Sequence, residues 1–260
     1  MTYVIAVSNE KGGVAKTTTT FSLGATLSEK DMQVLLIDLD PQGNLTLATG
    51  LEPKEIRNTS GDALLDGFPL VDCIRKTNMQ KVDIVPSNNR MEIVEQSLPV
   101  RLNYALILRD AIHKAHLSYD FVLLDCPPAL GAVTLNALSA SNLLIIPTQA
   151  EYFSAYALRD MMALVRKIRQ EFNPQLAYRI LITLLDQRNR THRTIRQQLQ
   201  QTFGVGLFDT VIEIDTRLRE SPIVGMPITQ YRPNSRGSQQ YRGLAQELVQ
   251  YVQQTNPQTA

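Results

Sequence analysis

Residues 9 to 20, Asn-Glu-Lys-Gly-Gly-Val-Ala-Lys-Thr-Thr-Thr-Thr, constrain this chain more than any other segment. Ahead of them runs Tyr3 to Ser8, short, apolar and rich in β-branched residues, which predicts a buried strand. After the pair Gly12-Gly13, a helix with a threonine-rich first turn is expected from Lys16, with its body over Thr18 to Glu29. Strand, glycine loop and helix in that order aim successive backbone N–H groups and a helix N-terminus at one point, a geometry that wraps a polyphosphate. Gly12, Gly13, Val14, Ala15, Lys16, Thr17 and Thr18 are the expected nucleotide contacts. Lys16 is expected on the β- and γ-phosphate oxygens, and the Thr17 hydroxyl in a Mg²⁺ shell.

The loop departs from the general G-x-x-x-x-G-K-[ST] pattern at both glycine positions, held here by Glu10 and Ala15. It adds Lys11, five residues before Lys16. The methyl group of Ala15 predicts either a negative φ or modest strain. Two further segments carry carboxylates at strand ends. Gln33 to Leu39 reads as a strand running into Asp38-Leu39-Asp40-Pro41-Gln42-Gly43-Asn44, and Phe121 to Leu124 as another, ending in Asp125-Cys126-Pro127-Pro128. Ligands of open α/β sheets bind at the C-terminal ends of parallel strands. Asp125, after four apolar residues, has the position of an acid that supports Mg²⁺ through water.

The run Lys11-Gly12-Gly13-Val14-Ala15-Lys16-Thr17 resembles the deviant loop, K-G-G-x-x-K-[ST], of the ParA/MinD class of ATPases. The resemblance implies ATP and Mg²⁺ as cofactors, and a homodimer formed on ATP binding. In that dimer Lys11 would reach across to the partner's phosphates. The D-x-D-P-Q-G-N run resembles the switch segment of the class, which gives Asp40 the role of orienting the attacking water and Asp38 that of a near-site support. The implied catalytic set is Lys11, Lys16, Asp40 and Asp38, with Thr17 and Asp125 on the metal. Phosphoryl transfer of this kind is positioning plus charge neutralisation, so a lysine supplied in trans makes hydrolysis depend on dimerisation.

The likeness continues to about residue 250. Leu184-Leu185-Asp186-Gln187-Arg188 and Arg217-Leu218-Arg219-Glu220-Ser221-Pro222 resemble segments of the class. So do Gly225-Met226-Pro227-Ile228, Tyr231, Ser235-Arg236-Gly237 and Tyr241. One stretch departs from it: relatives carry Ile-Pro-x-Asn where this chain has Ile212-Glu213-Ile214-Asp215. The resemblance places that stretch near the adenine.

The remaining pattern alternates strands and helices, predicting an α/β fold: one doubly wound, mostly parallel sheet with helices on both faces. Strands are expected at Val82 to Pro86, Leu143 to Pro147 and Tyr178 to Leu185. Helices are expected at Leu102 to His116, Ser154 to Phe172, Thr191 to Phe203 and Ser238 to Gln253, with short irregular helices over 52 to 80. A single domain over 1–253 and a frayed polar tail over 254–260 are predicted. Of the 260 residues 43% are hydrophobic and the net charge is +1, which suits a globular enzyme. Cys73 and Cys126 make no disulfide framework and suggest a reducing compartment. His113, His116 and His192 have no metal-ligand spacing, and the first two are expected on one helix face.

Charge is unevenly placed. Arg179 to Arg242 holds ten arginines, no lysine and five acids. An arginine-rich surface without a base-reading helix motif suits sequence-independent contact with phosphates. The resemblance implies the same, since ParA-type proteins bind DNA non-specifically through this C-terminal third; Arg193, Arg217, Arg219 and Arg236 are the candidate contacts. The chain begins directly in a strand, so no signal peptide is expected, and no apolar run approaches the roughly 18 residues that span a bilayer. Residues 244–254 have apolar periodicity but no Lys or Arg, unlike the basic amphipathic helix that ends membrane-cycling members of the class. With no large DNA-reading extension before the loop, the chain resembles the small chromosomal, Soj-like type.

The expected function is therefore an ATPase whose dimer binds double-stranded nucleoid DNA and positions DNA cargo. It would work in the cytoplasm on the nucleoid, without membrane, and with a ParB-like or other cargo adaptor that stimulates hydrolysis. Positioning of a protein organelle such as a carboxysome by the same cycle, or a small-molecule ATP enzyme of related fold, are the alternatives.

Overall fold

β1 (Tyr3–Val7) is apolar at all five positions and buried at all five, as a strand covered on both faces must be. Its side chains alternate: Tyr3, Ile5 and Val7 enter one core, Val4 and Ala6 the other. The computed structural model describes residues 2–152 and 154–255. Around β1 lie β2 (Val34–Asp38), β3 (Arg75–Lys76), β4 (Val82–Val85), β5 (Phe121–Asp125), β6 (Leu143–Gln149) and β7 (Ala177–Thr183). Their spatial order is β3-β4-β2-β5-β1-β6-β7, and all pairings are parallel except that of the short edge strand β3 with β4.

The helices are α1 (Lys16–Ser28), α2 (Asn44–Ala48), α3 (Ser60–Asp66), α4 (Arg90–Ser97), α5 (Ile107–Lys114), α6 (Ala132–Ala140), α7 (Ser154–Glu171), α8 (Arg190–Phe203), α9 (Arg217–Glu220), α10 (Ile228–Tyr231) and α11 (Arg236–Thr255). Phe21, Leu23 and Leu27 of α1 and Tyr241, Leu244 and Leu248 of α11 pack with Ile5, Leu36 and Leu123 on one face. Leu108 and Ile112 of α5, Leu135 and Leu138 of α6, and Met161 and Val165 of α7 pack with Ala6, Ile37 and Leu124 on the other. Helices cover both faces, as the alternating pattern predicts.

This topology fixes where a ligand can go. The connection from β1 through α1 to β2 steps over β5, while that from β5 through α6 to β6 steps back over β1 on the opposite face. The chain therefore switches direction between β1 and β5, and the crevice opens beyond their C-terminal ends. The register sets Val7 beside Asp125, and Asp125 beside Asp38.

Several expected boundaries move. The helix expected over Leu102 to His116 starts only at Ile107, because Asn103 takes a left-handed conformation at φ 55 and a single 3₁₀ turn, Tyr104–Leu106, intervenes. His116 lies beyond the helix end at φ 44, so His113 and His116 do not share a helix face. α11 runs two residues past the expected domain end at 253, and 256–260 of the expected tail lie outside the described residues. α6 is buried at eight of its nine positions, with the polar Thr134, Asn136 and Ser139 among them, which leaves no periodic stripe to read. A carboxylate supplied by α4 caps it. Glu95 accepts from Ala132 N at 2.7 Å and Val133 N at 3.0 Å. Gly131 permits the approach, since a Cβ there would meet Glu95 Oε1 at 1.7 Å.

Candidate nucleotide-binding site

In the loop between β1 and α1, Lys11 N donates to Asn9 Oδ1 at 3.0 Å, and no side chain caps the N-terminus of α1. Ala15 stands at the N-cap of α1, where its methyl group cannot accept a hydrogen bond, and the first turn contains no acid to compete for the helix N-terminus. Ala15 adopts φ 67, ψ 35, and Gly13 φ 73. The strain branch of the sequence expectation thus holds: an L-residue in this region costs about 1–2 kcal/mol. The conformation is pinned from outside, with Thr183 Oγ1 on β7 donating to Val14 O at 3.0 Å and Gln149 Nε2 on β6 donating to Gly13 O at 3.1 Å. Lys16 is only 8% exposed, and its ammonium donates to Lys11 O at 3.2 Å. Burial pushes the Lys16 ammonium below its ordinary range, while Asp125 acts in the opposite direction.

Opposite the loop stand the strand-end carboxylates. Thr17 Oγ1 donates to Asp125 Oδ2 at 2.7 Å, and Thr20 Oγ1 to Asp125 Oδ1 at 3.3 Å. Asp38 is fully enclosed. Its Oδ2 accepts from Thr46 N at 2.9 Å and Thr46 Oγ1 at 2.7 Å, and its Oδ1 accepts from Asp40 N at 3.0 Å. Asp38 therefore holds the backbone at Asp40 and Thr46. Burial pushes its carboxyl up to about 6. Burial, with Asp38 beside it, holds Asp125 well above the usual carboxylate range.

Two adjacent buried carboxylates that resist ionisation are suited to receive positive charge. Mg²⁺ takes oxygen ligands, commonly one or two protein groups completed by phosphates and waters. The hydroxyl of Thr17 and the carboxylate of Asp125, joined at the mouth of a phosphate loop, fit that donor set. The described residues contain no cluster of three or more His, Cys, Asp or Glu that could hold a metal by themselves. Cys126 follows Asp125 but is 1% exposed, and burial pushes its thiol far above a reactive range.

Asp40 is 7% exposed and accepts from Gln42 N at 2.9 Å. It lines a cleft of about 550 Å³ with Gly12, Gly13, Lys16 and Thr17 on one side and Pro128 on another. The sequence reading missed several parts of this wall: Leu47 and Ala48 of α2, and Pro222 and Ile223. It also missed Gln149 and Glu151, which hold Lys11 at 3.2 and 2.6 Å. A polar residue ending a strand beside β1 was the available signal for Gln149.

The candidate phosphate-contacting arginines fall into two groups. α8 contains Arg190, Arg193 and Arg196 and no acid; Arg193 is exposed, and its guanidinium caps the preceding loop through Gln187 O at 2.7 Å. Arg217 and Arg219 are exposed on α9. Arg236 is instead tied to Glu213 at 2.9 Å and to the Ile214 carbonyl. Glu213 also accepts from Gln187 Nε2 at 2.8 Å and Gln240 Nε2 at 3.1 Å, so the residue that departs from the Ile-Pro-x-Asn pattern is the centre of a polar knot. Arg188 pairs with Asp186, Arg242 with Glu29, and Arg179 stacks on Tyr251. No helix among the described residues is long and apolar enough to cross a membrane.

A family model described as an AAA domain matches residues 2–178. The sporulation initiation inhibitor protein Soj of Bacillus subtilis is 36% identical over 247 residues, covering 95% of this chain and 98% of that protein. The chromosome partitioning protein ParA of Caulobacter vibrioides is 35% identical over 249 residues, covering 95% and 93%. Among solved structures, cobyrinic acid a,c-diamide synthase from Mycobacterium smegmatis with bound ATP analog and magnesium superposes with a TM-score of 0.83. It is 31% identical, covering 99% of this chain and 97% of that one.

Proposed function

We propose, from the premise that this chain belongs to the ParA/MinD class of P-loop ATPases, that it is a Mg²⁺-dependent ATP hydrolase that dimerises around ATP and grips duplex DNA by its phosphates. The observation that carries the reading is the pair of lysines in one loop. Lys16 is buried in the wall of the cleft, and Lys11, five residues earlier in the same loop, has a side chain 31% exposed. A buried lysine serves the nucleotide of its own chain; a second, more exposed one can serve the nucleotide of another once it leaves Gln149 and Glu151.

In the proposed cycle the loop amides and Lys16 bind the triphosphate. Thr17, with Asp125 behind it, would hold the Mg²⁺, which would supply positive charge to the phosphate oxygens. Asp40 accepts from the attacking water and keeps it in line with the γ-phosphorus. Asp38 holds the backbone of Asp40 and Thr46, which keeps Asp40 facing the cleft. Lys11 from the second copy adds positive charge where the transition state needs it. ATP and DNA each favour the dimer over the monomer, so each shifts the population toward the form the other binds.

α8, with three arginines and no acid, is the strongest basic face among the candidate contacts, and Arg217 and Arg219 are exposed on α9. This supports DNA as the surface on which the dimer rests, and the likeness to a chromosome partitioning protein supports a ParB-like adaptor as the trigger of hydrolysis. Positioning of a protein organelle would use the same engine with another adaptor. The likeness to a diamide synthase favours one competing reading, a small-molecule ATP-dependent enzyme. Turnover separates the two. ATP hydrolysis measured with and without duplex DNA should respond to DNA under the first reading and be indifferent to it under the second.

A further inference from the structure

Both lysines of the phosphate loop are engaged by their own chain. Lys16 Nζ donates to Lys11 O at 3.2 Å. Lys11 Nζ donates to Glu151 Oε2 at 2.6 Å and to Gln149 Oε1 at 3.2 Å. Gln149 ends β6, and its Nε2 reaches back to Gly13 O, so one amide brackets the loop from both sides of Gly12. Asn9 fastens the base of the loop to the same strand: its Nδ2 donates to Pro147 O at 2.8 Å and its Oδ1 accepts from Lys11 N at 3.0 Å. Glu151 is itself positioned by its neighbours, with Glu151 N donating to Gln149 O at 2.9 Å and Ser154 N donating to Glu151 O at 3.1 Å.

We propose that Glu151 and Gln149 form a latch on Lys11 in cis, an autoinhibitory contact that must open before Lys11 can serve a nucleotide held by a second copy of this chain. This rests on the dimerising reading above. The latch opposes closure in two ways. It occupies the ammonium that the partner's phosphates require, and once opened it leaves the Glu151 carboxylate close to those phosphates, where like charges repel. A triphosphate competes for the ammonium better than a diphosphate because it carries more charge. Glu151 thereby makes closure sensitive to the γ-phosphate, and keeps the chain with ADP monomeric.

The Lys11–Glu151 pair is partly exposed, with side chains 31% and 47% accessible, so solvent and salt weaken it. An exposed pair of this kind is worth roughly threefold in an equilibrium. Each dimer opens two latches, so their removal should tighten the dimer about tenfold.

The test is sedimentation velocity of the full chain with a non-hydrolysable ATP analogue and with ADP, on wild type, Glu151→Gln, Lys11→Ala and the double variant. The expected result is a dimer about tenfold tighter for Glu151→Gln with the analogue, dimers with ADP at concentrations where wild type is monomeric, and an unchanged nucleotide affinity of the monomer. The gain should shrink at high salt and be absent in the double variant. An unchanged or weaker dimer for Glu151→Gln, with Lys11→Ala still unable to dimerise, would overturn the latch and leave the dimerising reading standing. Lys11→Ala dimerising like wild type would overturn both.

Discussion

Asp38 and Asp125 are register partners on adjacent strands, both fully enclosed, and their cost should be measurable in the empty protein. Each carboxyl holds its proton more tightly folded than unfolded, chiefly because burial penalises the charged form. For Asp38 the rise is from 3.8 to about 6. Its contribution to stability is complete below 3.8 and is lost as pH climbs through 6. Two pKa units correspond to about 3 kcal/mol in full, of which roughly half is lost between pH 5 and 8. Asp125 adds to the loss in the same direction.

Asp125→Asn removes one charge while keeping the shape, and its amide can still meet the hydroxyls of Thr17 and Thr20. Without metal or nucleotide the variant should be more stable than wild type at pH 8 by about 1–2 kcal/mol, the gain expected from relieving one unfavourable buried group. That corresponds to a rise in Tm of about 2–8 °C for a domain of this size. The advantage should narrow as pH falls, since protonation relieves the buried charge of wild-type Asp125, and the variant should lose its Mg²⁺-dependent nucleotide affinity. Urea denaturation in EDTA from pH 5 to 8 reads the effect. A variant no more stable than wild type at pH 8, or a difference that does not change with pH, would refute the view of these carboxylates as a cation site held at a cost.

Other expectations follow from the same geometry. Ala15→Gly relieves the left-handed strain at φ 67 and should stabilise the empty chain by about 0.5–1 kcal/mol after the larger chain entropy of glycine is deducted, as a thermal melt would show. Asp40→Ala should leave ATP binding within about threefold but lower turnover by 10²-fold or more, seen as a long-lived ATP-bound dimer on DNA; wild-type turnover would remove Asp40 from water positioning. Charge reversal of Arg190, Arg193 and Arg196 on α8 should weaken DNA binding uniformly across sequences. It should also flatten the salt dependence by about 0.9 log unit per lost phosphate contact, read by fluorescence anisotropy at several salt concentrations.

The phosphate loop and its two strand-end carboxylates were legible because each is a local pattern: apolar strand, turn chemistry, charged residue. β1, β2 and β5 hold the positions that such patterns predict within a residue or two. What escaped was made by tertiary contact. α6 has no polar face to set a period and owes its N-terminus to Glu95 on α4, 37 residues earlier. β3 is two residues long and exists only as the antiparallel neighbour of β4. The start of α5 is set by the left-handed turn at Asn103. In the site, Lys11 was legible as a lysine of unusual position, but its cis partners Gln149 and Glu151 lie 138 and 140 residues away and become visible only when β6 is laid beside β1. The arginine count of the C-terminal third was legible, whereas the commitment of Arg236 to Glu213 required the folded arrangement of α11 against the 212–215 segment.

In the proposed cycle an ATP-closed dimer grips DNA phosphates with Lys11 reaching across. The most direct test of this cycle is binding of random-sequence duplex DNA with ATP, ADP or no nucleotide, at two salt concentrations, for wild type and Lys11→Ala. Binding should require both ATP and Lys11 and fall steeply with salt. DNA binding absent under every condition, or equally strong with ADP and in Lys11→Ala, would contradict the cycle.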